Sequence, residues 1–277
     1  LDESNYKYPT ADSYFGYTTR GCPNKCAFCA VPKLEPSFKV TNNIANQVQA
    51  VNERYGPKQN LLLLDNNILN APNLSEIVDG ICEAGFYKGA RYNDPGDFLT
   101  ILRRYKRGES GEALDRRMKC YLSQFKRRIK SEEALDRFLD IVIDSEDADD
   151  YREFILAHEE WLLPIVEKYR NKTSRARYVD FNQGLDARKI DDDSMSQLSR
   201  IALKPLRIAF DDIALKEIYI KAIRTAHRHG FIYFSNYILF NFKDSPADLY
   251  ERLRINIELS QELNVSIFSF PMKFSPI

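Results

Sequence analysis

The residues that decide the fold run from Tyr14 to Thr19 (YFGYTT) and continue into a loop from Gly21 to Cys29 (GCPNKCAFC). The first segment is rich in aromatic and β-branched residues, which predicts a β-strand. It leads directly into a loop with three cysteines, Cys22, Cys26 and Cys29. Thiolates are soft ligands that suit iron–sulfur clusters, zinc or copper(I). The opening of the chain therefore predicts a strand followed by a metal-binding loop.

The spacing of the cysteines favours one of these metals. Structural zinc sites usually combine paired Cys-x2-Cys knuckles with a fourth ligand. Here one compact trio stands without a partner pair, and Cys82 and Cys120 lie far from it in the sequence. Three thiolates on one loop can bind three corners of a 4Fe–4S cube and leave the fourth iron open to another ligand. We therefore predict a cluster held by the trio, and a structural zinc stays the alternative.

Composition excludes several classes of protein. The chain has 277 residues, 44% of them hydrophobic, and a net charge of zero, which is ordinary for a folded protein and unusual for a disordered one. No apolar run approaches the ~20 residues of a membrane helix. Five cysteines without an even framework argue against a secreted disulfide scaffold, so we expect a cytoplasmic protein. The chain begins at Leu1, and we expect it to be a piece of a longer one.

Short apolar runs alternate with segments of helical periodicity along most of the chain. The periodic segments predict helices over 43–55, 74–81 and 215–229, a helix capped by Asp191, and one that begins at the capping box Ser245-Pro246-Ala247-Asp248. The predicted strands are Tyr14–Thr19, Leu61–Leu64, Arg177–Phe181, Leu206–Phe210, Phe231–Phe240 and Val265–Phe270. This alternation predicts an α/β protein with parallel strands, and six units predict a partial TIM barrel, (β/α)6, because a complete barrel needs eight.

The regular alternation breaks off at Phe86. The segment 88–130 is strongly basic and 132–160 is strongly acidic, which predicts a helical insertion. The predicted organisation is a linker over 1–11, the first part of the barrel over 12–86, the charged insertion over 87–175, and the second part of the barrel over 176–277. The charged helices either pack on each other and neutralise, which we favour, or form a surface for substrate or nucleic acid.

The cysteine loop resembles that of a known superfamily. Cys-x3-Cys-x2-Cys directly after a first barrel strand, with aromatic Phe28 before the last cysteine, is the signature of radical S-adenosylmethionine (SAM) enzymes. The stretch TTRGCPNKCAFCAVP is similar to the same loop in methylthiotransferases and cobalamin-dependent radical SAM proteins. The resemblance implies an enzyme whose 4Fe–4S cluster, on Cys22, Cys26 and Cys29, cleaves SAM reductively to a 5′-deoxyadenosyl radical. That radical abstracts hydrogen from a substrate that the sequence does not identify. The resemblance also implies an electron donor such as flavodoxin or ferredoxin.

Polar residues follow the predicted strands at their carboxyl ends, where barrel enzymes build their sites. The resemblance implies that the segment after the second strand meets the SAM amino group and that the end of the fourth strand meets the ribose hydroxyls. The stretch from Asn236 to Pro246 resembles the family's IxGxPGET sequence, with Asp244 where the family has Glu. The predicted cofactor-binding residues are Phe28, Asp65, Asn66, Asn67, Asn182, Gln183, Asp211, Asp212 and Asn236.

Two further functions stay open. One is a nucleic-acid-modifying radical SAM enzyme, similar to methylthiotransferases, that binds nucleic acid through the basic segment 88–130. The other is a non-catalytic iron–sulfur or zinc binding module, which would not need the row of polar strand ends. We expect His158, His227 and His229 to lie at the surface, because they fall in helical patterns away from the cysteines.

Overall fold

The structure is a computed structural model that describes residues 12–41 and 43–274. The predicted linker over 1–11 therefore lies outside the described residues. The described residues form two compact units. Those within Leu1–Ala50, Lys58–Tyr92 and Ala176–Ile277 form the first unit, and those of Val51–Pro57 and Asn93–Arg175 form the second.

Ten short strands are described. They are β1 (Ser13–Gly16), β2 (Thr19–Arg20), β3 (Lys39–Val40), β4 (Asn60–Leu63), β5 (Arg91–Tyr92), β6 (Arg175–Ala176), β7 (Val179–Phe181), β8 (Leu206–Arg207), β9 (Tyr233–Phe240) and β10 (Ser266–Lys273).

Eleven α-helices are described, with short 3-10 turns between some of them. They are α1 (Val31–Leu34), α2 (Ile44–Tyr55), α3 (Leu74–Ile81), α4 (Gly96–Lys106), α5 (Glu112–Phe125), α6 (Glu132–Asp144), α7 (Tyr151–Ala157), α8 (Glu159–Tyr169), α9 (Asp192–Leu198), α10 (Lys216–Arg228) and α11 (Pro246–Leu263).

The first unit contains two three-stranded parallel sheets, ordered β1-β4-β7 and β8-β9-β10. Parallel backbone pairing also joins the segments that follow β7 and β8, because the Leu185 amide donates to the Arg207 carbonyl and the Ala209 amide donates to the Leu185 carbonyl. The predicted α/β class with parallel strands is thereby confirmed.

Capping residues and a terminating glycine in the sequence correctly predicted helix ends in the first unit. Asp191 caps α9 as predicted, and its side chain accepts from the Ser194 amide. Ser245 and Asp248 form the predicted capping box at the start of α11. Gly85 has φ of 86°, a left-handed conformation that ends the helical segment after α3.

The first predicted strand is divided in the structure. Pairing with β4 ends at Gly16, and Thr18 and Thr19 turn their amides and hydroxyls toward the Asp65 carboxylate. Thr19 then pairs antiparallel with Val40 as part of the β2–β3 ribbon. The predicted strand over 206–210 is also shorter, since regular pairing covers Leu206–Arg207.

The second unit is helical from α4 to α8 and has its own hydrophobic core. Phe98, Tyr105, Met118, Phe138 and Ile155 are fully buried within it. Salt bridges from Lys106 to Glu159 and from Lys119 to Glu146 join the basic and acidic segments. These contacts agree with the favoured interpretation that the charged helices pack on each other. No helix among the described residues has the length and apolar character that would let it cross a membrane.

Candidate functional site

One cavity of the first unit, about 610 Å³ in volume, collects most of the predicted site residues. It is bordered by the cysteine loop and by the segments that follow β4, β7, β8 and β9. The predicted residues that line it are Cys22, Cys26, Phe28, Cys29, Asn66, Asn67, Gln183, Asp211 and Asp212. Because the carboxyl ends of parallel strands meet at one edge, residues far apart in the sequence converge on the cysteine loop.

The three cysteines are free thiols, each partly exposed. The loop closes on itself where the Cys29 amide donates to the Cys26 carbonyl at 3.0 Å. Burial raises the pKa of the Cys26 thiol, Cys29 and Cys22 raise it further, and the Arg188 guanidinium opposes them. The described part of the chain holds no group of three or more His, Cys, Asp or Glu side chains already placed for a metal ion.

Asp65 anchors the start of the cysteine loop. Its side chain is buried and accepts hydrogen bonds from both the amide and the hydroxyl of Thr18 and of Thr19. Burial raises the pKa of Asp65, and the threonine hydrogen bonds oppose that shift. Asp65 does not line the cavity, so the structure places it behind the loop, where it holds the backbone that leads to Cys22.

Glu35 fastens the two ends of the same loop. Its Oε2 accepts from the Gly21 amide at 2.7 Å and from Asn66 Nδ2 at 2.8 Å, and its Oε1 pairs with Arg20. The hydrogen bond from Arg20 lowers the pKa of Glu35. Gly21 has φ of 76°, and a Cβ there would lie 2.3 Å from the Ser37 carbonyl oxygen, so only glycine fits. Sequence analysis missed Glu35, because a glutamate after a short helix carries no local signal for this contact.

Asp186 and Arg188 connect the segment after β7 to the cysteine loop. Asp186 forms a bidentate ion pair with Arg188, at 2.7 and 2.8 Å, and accepts from Asn24 Nδ2 at 2.9 Å. Although burial opposes it, the Arg188 hydrogen bond lowers the pKa of Asp186. Arg188 also hydrogen-bonds the Cys26 thiol, which places a cation beside the sulfur. The sequence showed a dense run of polar residues after Phe181. It did not distinguish the Asp186–Arg188 ion pair from one at the protein surface.

Asn67 lies at the centre of these contacts. Its Nδ2 donates to Cys22 Sγ at 3.5 Å and to Asp186 Oδ2 at 3.4 Å. Its Oδ1 is buried and has no hydrogen-bond partner among the described residues. A buried acceptor without a donor costs about 1–3 kcal/mol, so this oxygen is suited to a ligand that carries N–H groups.

Asp211 and Asp212 differ in what they contact. Asp212 is exposed and caps the 3-10 turn that follows it, accepting from the Ala214 amide at 2.9 Å. Asp211 is half-buried at the cavity wall and accepts from the Leu239 amide. Burial raises the pKa of Asp211 to about 6, and the charge of Arg252 opposes the shift.

Arg252 of α11 supports the strand ends beneath Asp211. Its side chain is fully buried, and one guanidinium nitrogen donates to the carbonyls of Phe210 and Leu239, at 3.0 Å each. The other terminal nitrogen pairs with the buried carboxylate of Asp244. Asp244 was noted from the family stretch, whereas nothing in the sequence around Arg252 distinguished it from the exposed arginines of the same helix.

Two predicted cofactor-binding asparagines, Asn236 and Asn182, lie off the cavity wall. Asn236 is buried and donates to the Tyr219 hydroxyl at 2.6 Å, which donates in turn to Asn256. It faces α10 and α11 because side chains alternate along β9, and Tyr237 and Leu239 face the cavity instead. Asn182 donates its backbone amide to the Leu63 carbonyl and is not among the lining residues.

Comparisons with known proteins leave the family open. No protein family profile matches the chain, and no curated protein matches it. Among solved structures, it is similar to HydG, described as a maturase of the FeFe hydrogenase, with 11% sequence identity and a TM-score of 0.46. The match covers 99% of this chain and 46% of that one, so the chain spans about half the length of HydG.

Proposed function

We propose that this chain is a radical SAM enzyme whose 4Fe–4S cluster is held by Cys22, Cys26 and Cys29. The observation that carries the proposal is the cavity itself, in which three thiols of one loop meet the polar ends of several parallel strands. The proposal includes a (β/α)6 partial barrel, supported by a strand order that follows the chain within each sheet. We also propose a cytoplasmic location and an electron donor such as flavodoxin or ferredoxin.

The residues around the thiols fit a cluster. Thiolates are the usual ligands of iron–sulfur clusters, and hydrogen bonds to the sulfurs tune and stabilise them. Arg188 beside Cys26 and Asn67 Nδ2 beside Cys22 are donors of this kind. When bound, the cluster would supply the electron for reductive cleavage of SAM. Glu35 and Asp65 would keep the loop in place for it.

The cavity wall also fits SAM. The unpartnered Asn67 Oδ1 is an acceptor for an ammonium group, and Asn66 lies next to it. Asp211 presents a carboxylate, which accepts hydrogen bonds from ribose hydroxyls well. In this proposal Asp65 positions the loop behind the ligand instead of contacting it.

Cluster content tests the first half of the proposal. Anaerobic reconstitution with iron and sulfide should give about four irons per chain. Replacing any one of the three loop cysteines should lower both the iron content and the visible absorption of the iron–sulfur cluster. The variants are Cys22→Ala, Cys26→Ala and Cys29→Ala. Cys82→Ala and Cys120→Ala are matched controls, because both are free thiols outside the cavity lining. Retention of a normal cluster in all three loop variants would overturn the assignment.

SAM cleavage tests the second half. Under dithionite, the reconstituted protein should convert SAM to 5′-deoxyadenosine and methionine, measured by chromatography. A chain that holds four irons but neither binds nor cleaves SAM would be a binding module. A chain that holds one zinc per trio would be a structural zinc protein.

A further inference from the structure

The second unit contains a concave site that the proposed function does not use. Its volume is about 880 Å³, and Arg127, Arg128, Arg170 and Arg175 lie in its wall. Two of these arginines belong to the basic segment 88–130, and the other two come from the far end of the unit. The fold therefore brings together two pairs of arginines that lie more than forty residues apart in the sequence.

The charges of this arginine pocket do not cancel. Asp94 in the wall is approached by Arg175, and Asp97 is paired with Arg117, which lies outside the wall. Arg170 pairs with Glu167 and donates to the Asp94 carbonyl at 2.9 Å. Arg127 and Arg128 form no salt bridge within residues 12–41 and 43–274. With these partners included, five arginines face three carboxylates, an excess of two positive charges.

Neutral donors lie beside the free guanidinium groups. The Tyr121 hydroxyl is in the wall, and burial raises the pKa of Tyr121 to about 12, so the hydroxyl keeps its proton at neutral pH. The tyrosine ring stacks on Phe125, with ring centroids 5.5 Å apart, and lies 6.2 Å from the tilted ring of Phe98. The site thus offers N–H and O–H donors for oxygen atoms.

We propose that the arginine pocket binds phosphate groups. Guanidinium forks match phosphate oxygens in bidentate geometry, and charge-assisted hydrogen bonds of this kind are stronger than neutral ones. The phosphates belong either to a free phosphorylated small molecule or to the backbone of a nucleic acid. The pocket lies wholly within the second unit, so this proposal stands whether or not the first unit binds SAM.

The test compares two double variants of equal charge. Arg127→Gln/Arg128→Gln removes two cations from the wall, and Lys126→Gln/Lys130→Gln removes two exposed cations of the same segment outside it. Tripolyphosphate binding to the full chain is measured by calorimetry at low salt. We expect the arginine pair to lower the affinity at least about tenfold and the lysine pair to change it less than about twofold. Tyr121→Phe should weaken binding by roughly threefold.

A second arm identifies the source of the phosphate. A short single-stranded RNA oligonucleotide is titrated by fluorescence anisotropy at two salt concentrations, with tripolyphosphate as competitor. Tighter RNA binding that tripolyphosphate displaces and the arginine pair abolishes indicates a nucleic-acid backbone. Tripolyphosphate binding that RNA does not displace indicates a small phosphorylated ligand. Equal losses in the arginine and lysine variants, or no binding of either probe to the wild-type chain, would overturn the proposal.

Discussion

The segments that follow β4 and β8 each carry an aspartate, and the two aspartates have different roles: Asp65 lies behind the cysteine loop and Asp211 lines the cavity. Asp65 after β4 is enclosed by four donors from Thr18 and Thr19. Asp211 after β8 accepts from one backbone amide and faces the cavity. The segment after β8 is held instead by the Arg252 guanidinium, which reaches it from α11.

Asp65 and Asp211 show how a structural carboxylate differs from one that is available to a ligand. Burial raises the pKa of both groups, so the direction of the pKa shift does not distinguish them. What distinguishes the two groups is the number of hydrogen-bond donors that already contact each carboxylate. Asp65 accepts four donors on Oδ1 and supports the chain, whereas Asp211 has fewer donors, lines the cavity and can bind a ligand.

Replacing Arg252 should give the largest loss of stability. Arg252→Met leaves the Asp244 carboxylate buried without its cation, and breaking a buried ion pair in this way costs about 3–5 kcal/mol. Urea unfolding followed by circular dichroism measures the loss. Arg254→Met, on the same helix but exposed, is the matched control and should show no measurable change. Similar effects in the two variants would show that α11 does not hold the segment after β8.

Asp65→Ala should be the next most damaging change. It leaves the Thr18 and Thr19 amides without an acceptor in a buried place, at a cost of about 1–3 kcal/mol for each unsatisfied group. Asp65→Asn keeps one acceptor oxygen and should lose less. Unfolding midpoints of the two variants test this order. If Asp65→Ala unfolds like the wild-type chain, the proposed difference between the two aspartates is wrong.

The pH dependence of stability should report Asp211. Because the folded pKa of Asp211 is raised to about 6, its stabilising contribution is present at low pH and is lost as pH rises. Asp211→Asn should therefore be more stable than the wild-type chain at pH 7, by up to roughly 3 kcal/mol, and should lose this advantage toward pH 4. Parallel stability profiles of the two chains between pH 4 and pH 7 would contradict the assignment.

SAM affinity should show the smallest effect, and it separates Asp211 from its neighbour Asp212. Asp211→Ala should weaken SAM binding by about tenfold to a hundredfold, since ribose hydroxyls would lose their acceptor. Asp212→Ala, whose carboxylate caps a turn, is the neighbouring control and should weaken it less. Calorimetry on the reconstituted protein gives both values. A larger loss in Asp212→Ala would exchange the roles of the two residues.

Much of the first unit could be predicted from sequence. The periodic segments and caps located α2, α3, α9, α10 and α11 to within a few residues, because capping and amphipathic spacing act over short distances. Strand ends were less accurate. Thr18 and Thr19 have the β-branched composition of a strand, yet they bend toward Asp65 because that carboxylate needs donors 46 and 47 residues away.

The alternation of strands and helices, the three clustered thiols, and the row of polar residues at the strand ends can all be read from the sequence. Tertiary structure alone decided which of those polar residues face the cavity. Asn236 turns toward α10 because alternation along β9 assigns its side chain to the opposite face from Tyr237. Tertiary structure also brought Glu35 to Asn66, Arg252 to Asp244, and four arginines into one pocket of the second unit. Local patterns record short-range preferences, whereas these contacts depend on how distant segments pack.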